Sequence, residues 1–186
     1  MSFPVVDAAG VVVQLYGRTL LDDDRLGAGR QRWLPVARRG VWNAAGLGSE
    51  VIVTEGIVDA MSLWCAGFES VTACDGPGGF DDELAAVFVE AGVGRVLLAF
   101  DAEAAGDAGA VEAAARLGKL GVSCARVELP KGLDVNDVVV RAKQPADALG
   151  RLLRHAVWID STPPQRTTRR AVDVQVIHRG RGVLFE

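Results

Sequence analysis

The chain has little of the chemistry that disulfides and zinc sites need. It holds three cysteines and two histidines, and Cys65, Cys74 and Cys124 are scattered without CxxC spacing. We therefore expect buried thiols in a reducing compartment, not disulfides or zinc ligands. His155 and His178 are too isolated to complete a zinc site.

Long apolar runs are missing as well. No stretch approaches the roughly 20 apolar residues that a membrane-spanning helix needs. The first residues, MSFPVVDAAG, lack the basic start and the apolar centre of a signal peptide. The expectation is a cytoplasmic protein without a membrane partner. Its apolar content of 49% is enough for a real core, and its length predicts one domain with an appendage.

Basic residues are almost absent from the middle of the chain. Residues 50–107 carry twelve acidic residues and one basic residue, whereas residues 25–49 carry five arginines and no acid. The segment after residue 161 is basic again. This segregation indicates an acidic metal centre beside surfaces that hold polyphosphate or nucleic acid, although solvated arginines are the alternative. Trp33 and Trp42 favour function in the first arginine-rich segment, because indoles stack on bases.

The composition divides the chain into three segments. Residues 1–49 open with two β-branched runs around a turn at 7–10, which predicts a β-hairpin followed by an arginine-rich loop with short strands. Residues 50–142 alternate strand and helix patterns. Residues 143–186 are expected to form a helix, a linker and a basic tail. The tail ends in a strand pattern without a partner, which suggests a fragment.

The middle segment predicts an α/β fold, in which helices flank a parallel sheet. The expected strands lie near 50–54, 70–74, 95–100 and 122–128. The expected helices lie over 57–66, 80–91 and 107–120, and a further amphipathic helix is expected over 145–158. Right-handed crossovers then bring the C-terminal ends of the strands to one edge of the sheet.

Acidic side chains follow these strands at the edge where crevices form. Glu55 and Asp59 follow the first strand, Asp101 and Glu103 a later one, and Asp134 the last. Carboxylates that meet there repel one another unless a cation joins them, and Mg²⁺ and Mn²⁺ prefer oxygen ligands. The pattern therefore predicts a metal-dependent site for phosphoryl transfer.

A purely structural role is the alternative for these acids. Asp134 can cap a helix, and the pair at 136–137 fits a cap and a metal site equally well. Glu55, Asp59 and Asp101 taken together favour a functional site, because all three follow apolar strands in a region with a single base.

Residues 50–140 resemble a Toprim domain, the fold shared by bacterial-type primases, topoisomerases and some nucleases. Glu55-Gly56 matches the family's glutamate-glycine after the first strand. Residues 101–106, DAEAAG, resemble its DxDxAG element with glutamate as the second acid. Residues 132–137, GLDVND, resemble the third acidic element of primases, with Asn136 where a carboxylate is common.

The resemblance to primases extends upstream of this segment. Residues 3–20 are similar to the hairpin that precedes the Toprim domain in primases, including the Gly17-Arg18 pair. Residues 41–43, VWN, resemble a short aromatic-asparagine element just before the first Toprim strand. The zinc-binding module and the helicase-binding domain of full bacterial primases are not recognisable in this sequence.

The resemblance implies the catalytic Toprim part of a primase-like protein of phage or plasmid type. Such a protein makes RNA primers on a single-stranded DNA template from nucleoside triphosphates, with Mg²⁺ or Mn²⁺ and with a replicative helicase as a further partner. The implied catalytic residues are Glu55, Asp59 and Asp101. The implied metal ligands are Glu55, Asp101, Glu103, Asp134 and Asn136. The implied nucleotide- or nucleic-acid-binding residues are Arg18, Arg32, Arg38, Arg39, Asn43, Gly56 and Gly106.

Two other functions fit the same pattern. A Toprim nuclease would cleave phosphodiesters with the same metal site. A non-catalytic module would hold nucleotide or DNA and recruit a replication complex. The upstream hairpin with Arg18 favours the primase over the nuclease, because a nuclease does not need it.

Overall fold

The computed structural model describes residues 1–6, 10–19, 31–35, 40–74 and 79–159. In these ranges the strands are β1 (Ser2–Val6), β2 (Val12–Arg18), β3 (Gln31–Trp33), β4 (Glu50–Thr54), β5 (Val71–Ala73), β6 (Arg95–Ala99), β7 (Ser123–Arg126) and β8 (Val157–Trp158). The helices are α1 (Ile57–Cys65), α2 (Asp82–Glu90), α3 (Ala104–Lys119), α4 (Val135–Arg141) and α5 (Pro145–Arg154). A short 3-10 helix covers Ala44–Gly46. No helix of these ranges is long and apolar enough to span a membrane.

The strands form two separate sheets. The small sheet has the order β1-β2-β3 and is antiparallel, so the predicted hairpin is present. The large sheet has the order β5-β4-β6-β7-β8, and its first four strands are parallel. Helices flank this sheet, which confirms the predicted α/β architecture.

Apolar side chains alternate between the two faces of the large sheet, as the period of a strand requires. Val53 and Leu98 face one helical layer, in which Phe88 of α2 and Leu117 of α3 are fully buried. On the opposite face, β4 and β6 contribute to a second core that α1, α4 and α5 cover. Both faces are therefore dry, which explains the continuous apolar runs of these strands.

The parallel register aligns the C-terminal ends of three strands. Thr54 at the end of β4 pairs with Ala73 of β5 on one side and with Ala99 of β6 on the other. The chain leaves the sheet at Glu55 and at Phe100 on neighbouring strands. Side chains that directly follow β4 and β6 are thereby brought to the same edge.

Two element boundaries differ from the predicted ones by three residues or more. The helix α3 begins at Ala104, three residues before the predicted start. The predicted helix over 145–158 ends at Arg154, and Val157–Trp158 instead forms β8, antiparallel to β7. The open edge of β7 offers backbone groups that need partners, and β8 supplies them. Val157 is accordingly exposed and does not lie on the apolar face of a helix.

The small sheet packs on the start of α1. Val5 and Tyr16 of the hairpin form a buried cluster with Ile57, the first residue of α1. Trp33 and Trp42 pack against the same cluster, and the ring centroids of Trp33 and Tyr16 lie 5.0 Å apart. The indoles that were expected to stack on bases thus contribute to packing between the two sheets.

Several predicted features lie outside the described residues. They are Arg38 and Arg39, most of the hairpin turn, and the linker and basic tail from residue 160 onward.

Candidate functional site

Glu55 and Asp101 meet at the edge where β4 and β6 end. Each follows its strand almost directly, and the backbone N–H of Asp101 donates a hydrogen bond to Oε1 of Glu55 over 3.0 Å. Thr54 shapes the turn after β4 by donating from Oγ1 to the carbonyl oxygen of Gly56. The Glu55 carboxylate is therefore tied to the neighbouring strand end and is not a mobile surface group.

Asp59 lies beside this pair in the first turn of α1. Its Oδ1 accepts a hydrogen bond of 2.9 Å from the backbone N–H of Asn136 at the start of α4. The charges of Asp101, Asp134 and Arg18 all act on its carboxyl group. Asp59 is thus hydrogen-bonded to α4 and lies within electrostatic reach of Asp101 and of Arg18 in the small sheet.

Burial raises the pKa values of the three carboxyl groups above their ordinary range. The pKa of Asp59 is raised to about 7, mainly by burial. The hydrogen bond from the Asn136 N–H lowers this pKa, whereas the charges of Asp134 and Asp101 raise it further. For Glu55, burial outweighs the hydrogen bond from Asp101, and the Asp101 charge raises the pKa further. For Asp101, burial and then the Asp134 charge raise the pKa. Such shifts arise where carboxylates share a poorly solvated site.

The third acidic element caps α4 at the same site. Oδ1 of Asp134 accepts a hydrogen bond from the N–H of Asp137, so Asp134 is the N-cap residue. The side-chain oxygen of Asn136 accepts a hydrogen bond from Oγ of Ser62 on α1 over 3.1 Å. The predicted metal-binding oxygen of Asn136 is therefore engaged between two helices, and Asn136 reaches the site through its backbone N–H.

Glu103 and the two predicted glycines surround Asp101 and Asp59. Glu103 is exposed and occupies the N-cap position of α3, and its charge acts on Glu55 and Asp101. A Cβ at Gly106 would overlap the carbonyl oxygen of Asp101 and lie 2.8 Å from Oε1 of Glu55. Gly106 thus lets α3 approach both acids closely. A Cβ at Gly56 would lie 3.1 Å from Oδ2 of Asp59.

Arg126 is part of the site, and the sequence reasoning missed it. Its guanidinium donates to the carbonyl oxygens of Phe100 at 2.7 Å and Asp101 at 2.8 Å, and to Oδ1 of Asp107 at 3.0 Å. Its charge lowers the pKa values of Glu55 and Asp101 against the dominant effect of burial. The sequence does contain one sign of this role: Arg126 is a charged residue at the end of a largely buried strand, and burying a charge is costly unless it is paired.

The predicted basic and amide groups differ in where they lie. Arg18, at the end of β2, is half-buried, and its charge acts on Asp59. Arg32 is exposed on β3, opposite Gly17. Asn43 has φ 59° and donates from Nδ2 to the carbonyl oxygens of Glu69 and Val71, both over 2.9 Å. Its side-chain N–H groups thus hold the chain against β5, and its nucleotide-binding role stays a prediction.

The residues fit a hard cation in their chemistry, but they do not form a complete cage. Glu55, Asp59, Asp101 and Asp134 supply carboxylate oxygens that repel one another, which a divalent cation would relieve. Within the described ranges, however, no group of three or more His, Cys, Asp or Glu side chains is arranged to hold a metal ion. The metal-ligand role predicted for Glu55, Asp101, Glu103, Asp134 and Asn136 therefore stays a prediction.

Known proteins resemble this chain in both sequence and fold. Residues 52–139 match a protein family described as Toprim-like. A DNA primase of Clostridium acetobutylicum is 28% identical over 165 residues, an alignment that covers 84% of this chain and 27% of the primase. The chain thus spans about a quarter of that relative's length.

Solved primase structures share the fold. The zinc-binding and RNA polymerase domains of the Aquifex aeolicus primase superpose with a TM-score of 0.72 and 21% identity, over 85% of this chain and 40% of that one. A DnaG primase catalytic domain bound to single-stranded DNA gives a TM-score of 0.68 and 23% identity, over 84% of this chain and 51% of that one. Residues 52–139 therefore match a Toprim-like family, and the chain has the fold of DnaG primase catalytic cores.

Proposed function

We propose that this chain is the catalytic Toprim part of a DNA primase-like nucleotidyltransferase. It would join nucleoside triphosphates into RNA primers on a single-stranded DNA template with Mg²⁺ or Mn²⁺. The observation that carries the proposal is the cluster of Glu55, Asp59 and Asp101 at one sheet edge, with Arg18 of the small sheet acting on the same cluster. An acidic centre beside a basic residue suits a reaction between a hydroxyl group and a triphosphate.

The reaction needs one bond to form and one to break. The 3′-oxygen of the primer bonds to the α-phosphorus of the incoming triphosphate, and the bond from that phosphorus to the pyrophosphate oxygen breaks. The proton of the 3′-hydroxyl has to leave. Glu55 suits the role of its acceptor, because one carboxylate oxygen is fixed by the Asp101 N–H and burial raises its pKa above the ordinary value of a glutamate.

One or two of the carboxylates of Glu55, Asp101, Glu103 and Asp134 would hold the cation together with the triphosphate. A bound divalent cation neutralises the phosphates and lowers the pKa of the attacking hydroxyl. Mg²⁺ usually takes one or two carboxylates and completes its shell with water and substrate phosphates. A site without three ready-made ligands suits such binding, in which the triphosphate supplies the remaining oxygens. Arg18 and Arg32 would then contact phosphate groups.

The test compares Glu55→Gln with Glu50→Gln in the full-length protein. Glutamine keeps the size of Glu55 but cannot take up a proton or carry the charge. Glu50 lies at the opposite end of β4, in an ion pair of 2.8 Å with Arg95, so its variant controls for a lost charge on the same strand. We expect Glu55→Gln to abolish primer synthesis and to leave single-stranded DNA binding intact, whereas Glu50→Gln keeps both.

Three results would contradict the proposal. Unchanged primer yield from Glu55→Gln would remove this residue from the mechanism. Degradation of the template by the wild-type protein without primers would favour the nuclease. Binding of DNA without either activity would favour the non-catalytic module. Association with a replicative helicase stays a separate prediction, to be checked by co-purification.

A further inference from the structure

Arg126 is the last residue of β7 and reaches across to the end of β6. It pairs in register with Leu98, and its side chain is only 12% exposed. Besides its short contacts to Phe100 and Asp101, it donates to the carbonyl oxygens of Leu98 and Val127 at 3.3 Å. The guanidinium therefore lies among carbonyl groups at the point where β6 gives way to the acidic motif.

One peptide unit links Arg126 to Glu55. The carbonyl oxygen of Phe100 accepts from Arg126, and the N–H of the same peptide, on Asp101, donates to Glu55. A trans peptide is planar, so its C=O and N–H point in opposite directions. Fixing the carbonyl oxygen from one side thereby fixes the direction of the N–H on the other side.

We propose that Arg126 is a positioning residue, which orients the Phe100–Asp101 peptide and through it the carboxylates of Glu55 and Asp101. Its second contact, to the carbonyl oxygen of Asp101, holds the next peptide as well. The value of this arrangement for catalysis rests on the proposed nucleotidyl transfer. The geometric part of the proposal does not depend on it.

The contacts require arginine and are not those of an ordinary surface ion pair. The planar fork of a guanidinium reaches two carbonyl oxygens at once, which a lysine ammonium on a flexible stem does not reproduce. Its acidic partner, Asp107, has a side chain that is 71% exposed, so the ion pair itself contributes little. We therefore assign the main role of Arg126 to its hydrogen bonds with the carbonyl oxygens of Phe100 and Asp101.

The structure offers a matched control on the other side of α3. Arg116 also donates to a backbone carbonyl, that of Phe80 at 2.9 Å, and lies 3.6 Å from an Asp82 oxygen. It thus makes the same two kinds of contact as Arg126, away from the acidic cluster. Arg116→Met therefore measures the loss of such contacts at a more exposed position, with a side chain 45% exposed.

The experiment uses Arg126→Lys, Arg126→Met, Asp107→Asn and Arg116→Met in the full-length protein. Two quantities are measured: hydrogen exchange in peptides that contain Asp101, and the affinity for Mn²⁺ alone by calorimetry. We expect both Arg126 variants to exchange about tenfold faster there and to bind Mn²⁺ about tenfold more weakly, as for other residues that orient metal ligands. Arg116→Met and Asp107→Asn should change neither quantity by more than about twofold.

The sign of the Mn²⁺ change separates positioning from simple electrostatics. Removing a positive charge beside a cation site would by itself strengthen Mn²⁺ binding, whereas loss of positioning weakens it. Tighter Mn²⁺ binding by Arg126→Met, or unchanged exchange near Asp101 in Arg126→Lys, would overturn the proposal. Should Arg126→Met not fold, the lysine variant gives the same decision. A wild-type protein that made no primers but showed the expected changes would contradict the proposed function and leave the positioning role in place.

Discussion

Asp59 is a half-buried acid whose ionisation opposes folding. Its pKa is raised from 3.8 to about 7, mainly by burial. Between about these two pH values the folded protein keeps a proton that the unfolded chain has lost. The stabilisation from this group is therefore fully present at acidic pH and is lost as the pH rises toward about 7.

The variant Asp59→Asn should remove this dependence on pH. Asparagine keeps an oxygen that can accept the Asn136 N–H but has no charge to bury. We expect the variant to be more stable than the wild type at pH 8, by a few kcal/mol at most, and to match it near pH 4. Thermal unfolding in buffers from pH 4 to pH 8 without divalent cations measures both curves. Parallel curves for the two proteins would show that Asp59 titrates normally.

Gly106 is a second residue whose role depends on a close approach. Gly106→Ala would force a methyl group against Asp101 and Glu55, and such overpacking typically costs about 1–3 kcal/mol. We expect lower stability and weaker Mn²⁺ binding. Gly150→Ala in α5 is the control, because its Cβ would meet only the flexible end of Arg154 closely, at 3.2 Å. That variant should be neutral or slightly stabilising. Equal losses in both variants would contradict a special role for Gly106.

At the scale of elements, the N-terminus of α4 combines a helix cap with a charge at the site. Asp134 caps α4 through one oxygen, and its charge acts on Asp59 and Asp101. Asp81 caps α2 in the same way, through a hydrogen bond of 2.9 Å from the N–H of Leu84. Comparing the two helices therefore distinguishes the capping role of Asp134 from the effect of its charge on the site.

Asp134→Ala and Asp81→Ala should each lower the free energy of unfolding by about 1 kcal/mol, the usual value of an N-cap. Asp134→Asn should keep stability, because asparagine caps helices equally well, yet weaken Mn²⁺ binding. Chemical denaturation and Mn²⁺ calorimetry on the three variants give the comparison. Full Mn²⁺ affinity in Asp134→Asn would restrict Asp134 to capping.

At the scale of the whole molecule, the small sheet is attached to the Toprim-like domain through a compact apolar junction. Tyr16 is buried there beside Ile57, and its hydroxyl has no hydrogen-bond partner among the residues the structure describes. The neighbouring strand end carries Arg18, whose charge reaches Asp59. The junction therefore fixes the distance between a basic residue and the acidic site.

Truncation of Ile57 should loosen this junction. Ile57→Ala removes a buried side chain at a typical cost of about 2–5 kcal/mol, and we expect it to weaken single-stranded DNA binding through the displaced hairpin. Tyr16→Phe is the companion variant: it removes the unpaired hydroxyl without a cavity and should not destabilise. Denaturation and DNA-binding curves for both variants test this. Normal DNA binding by Ile57→Ala would show that binding does not depend on the position of the hairpin.

The large sheet was predictable because each of its strands is recognisable from its own short stretch of sequence. The runs that became β4 and β6 are apolar and bounded by turn residues, β4 is also rich in β-branched residues, and the predicted positions agree with the structure. The proximity of Glu55 and Asp101 followed from the parallel arrangement. The start of α3 was predicted too late, because residues 104–106 were assigned to the acidic motif and not to the helix.

The contacts between distant residues could not be predicted in the same way. Arg126 binds Phe100 only because β7 lies beside β6 in a particular register, which no local pattern specifies. The hydrogen bond from Ser62 to the side-chain oxygen of Asn136 likewise depends on the packing of α4 on α1. Sequence patterns thus identified the acids and their edge of the sheet, whereas the partners of these side chains depend on tertiary packing.

The contacts of Asn43 also bear on the solubility of the protein. The strand β5 is at the edge of the large sheet, and edge strands present unpaired backbone groups that recruit strands of other molecules. Asn43 covers the outward carbonyl oxygens of Glu69 and Val71, and Thr72 donates from its hydroxyl to the carbonyl oxygen of Trp42. Asn43 and the adjacent Trp42 thus occupy the edge of β5 where a further strand would otherwise pair. Asn43→Ala should therefore aggregate faster at moderate temperature, which light scattering would detect before any loss of secondary structure.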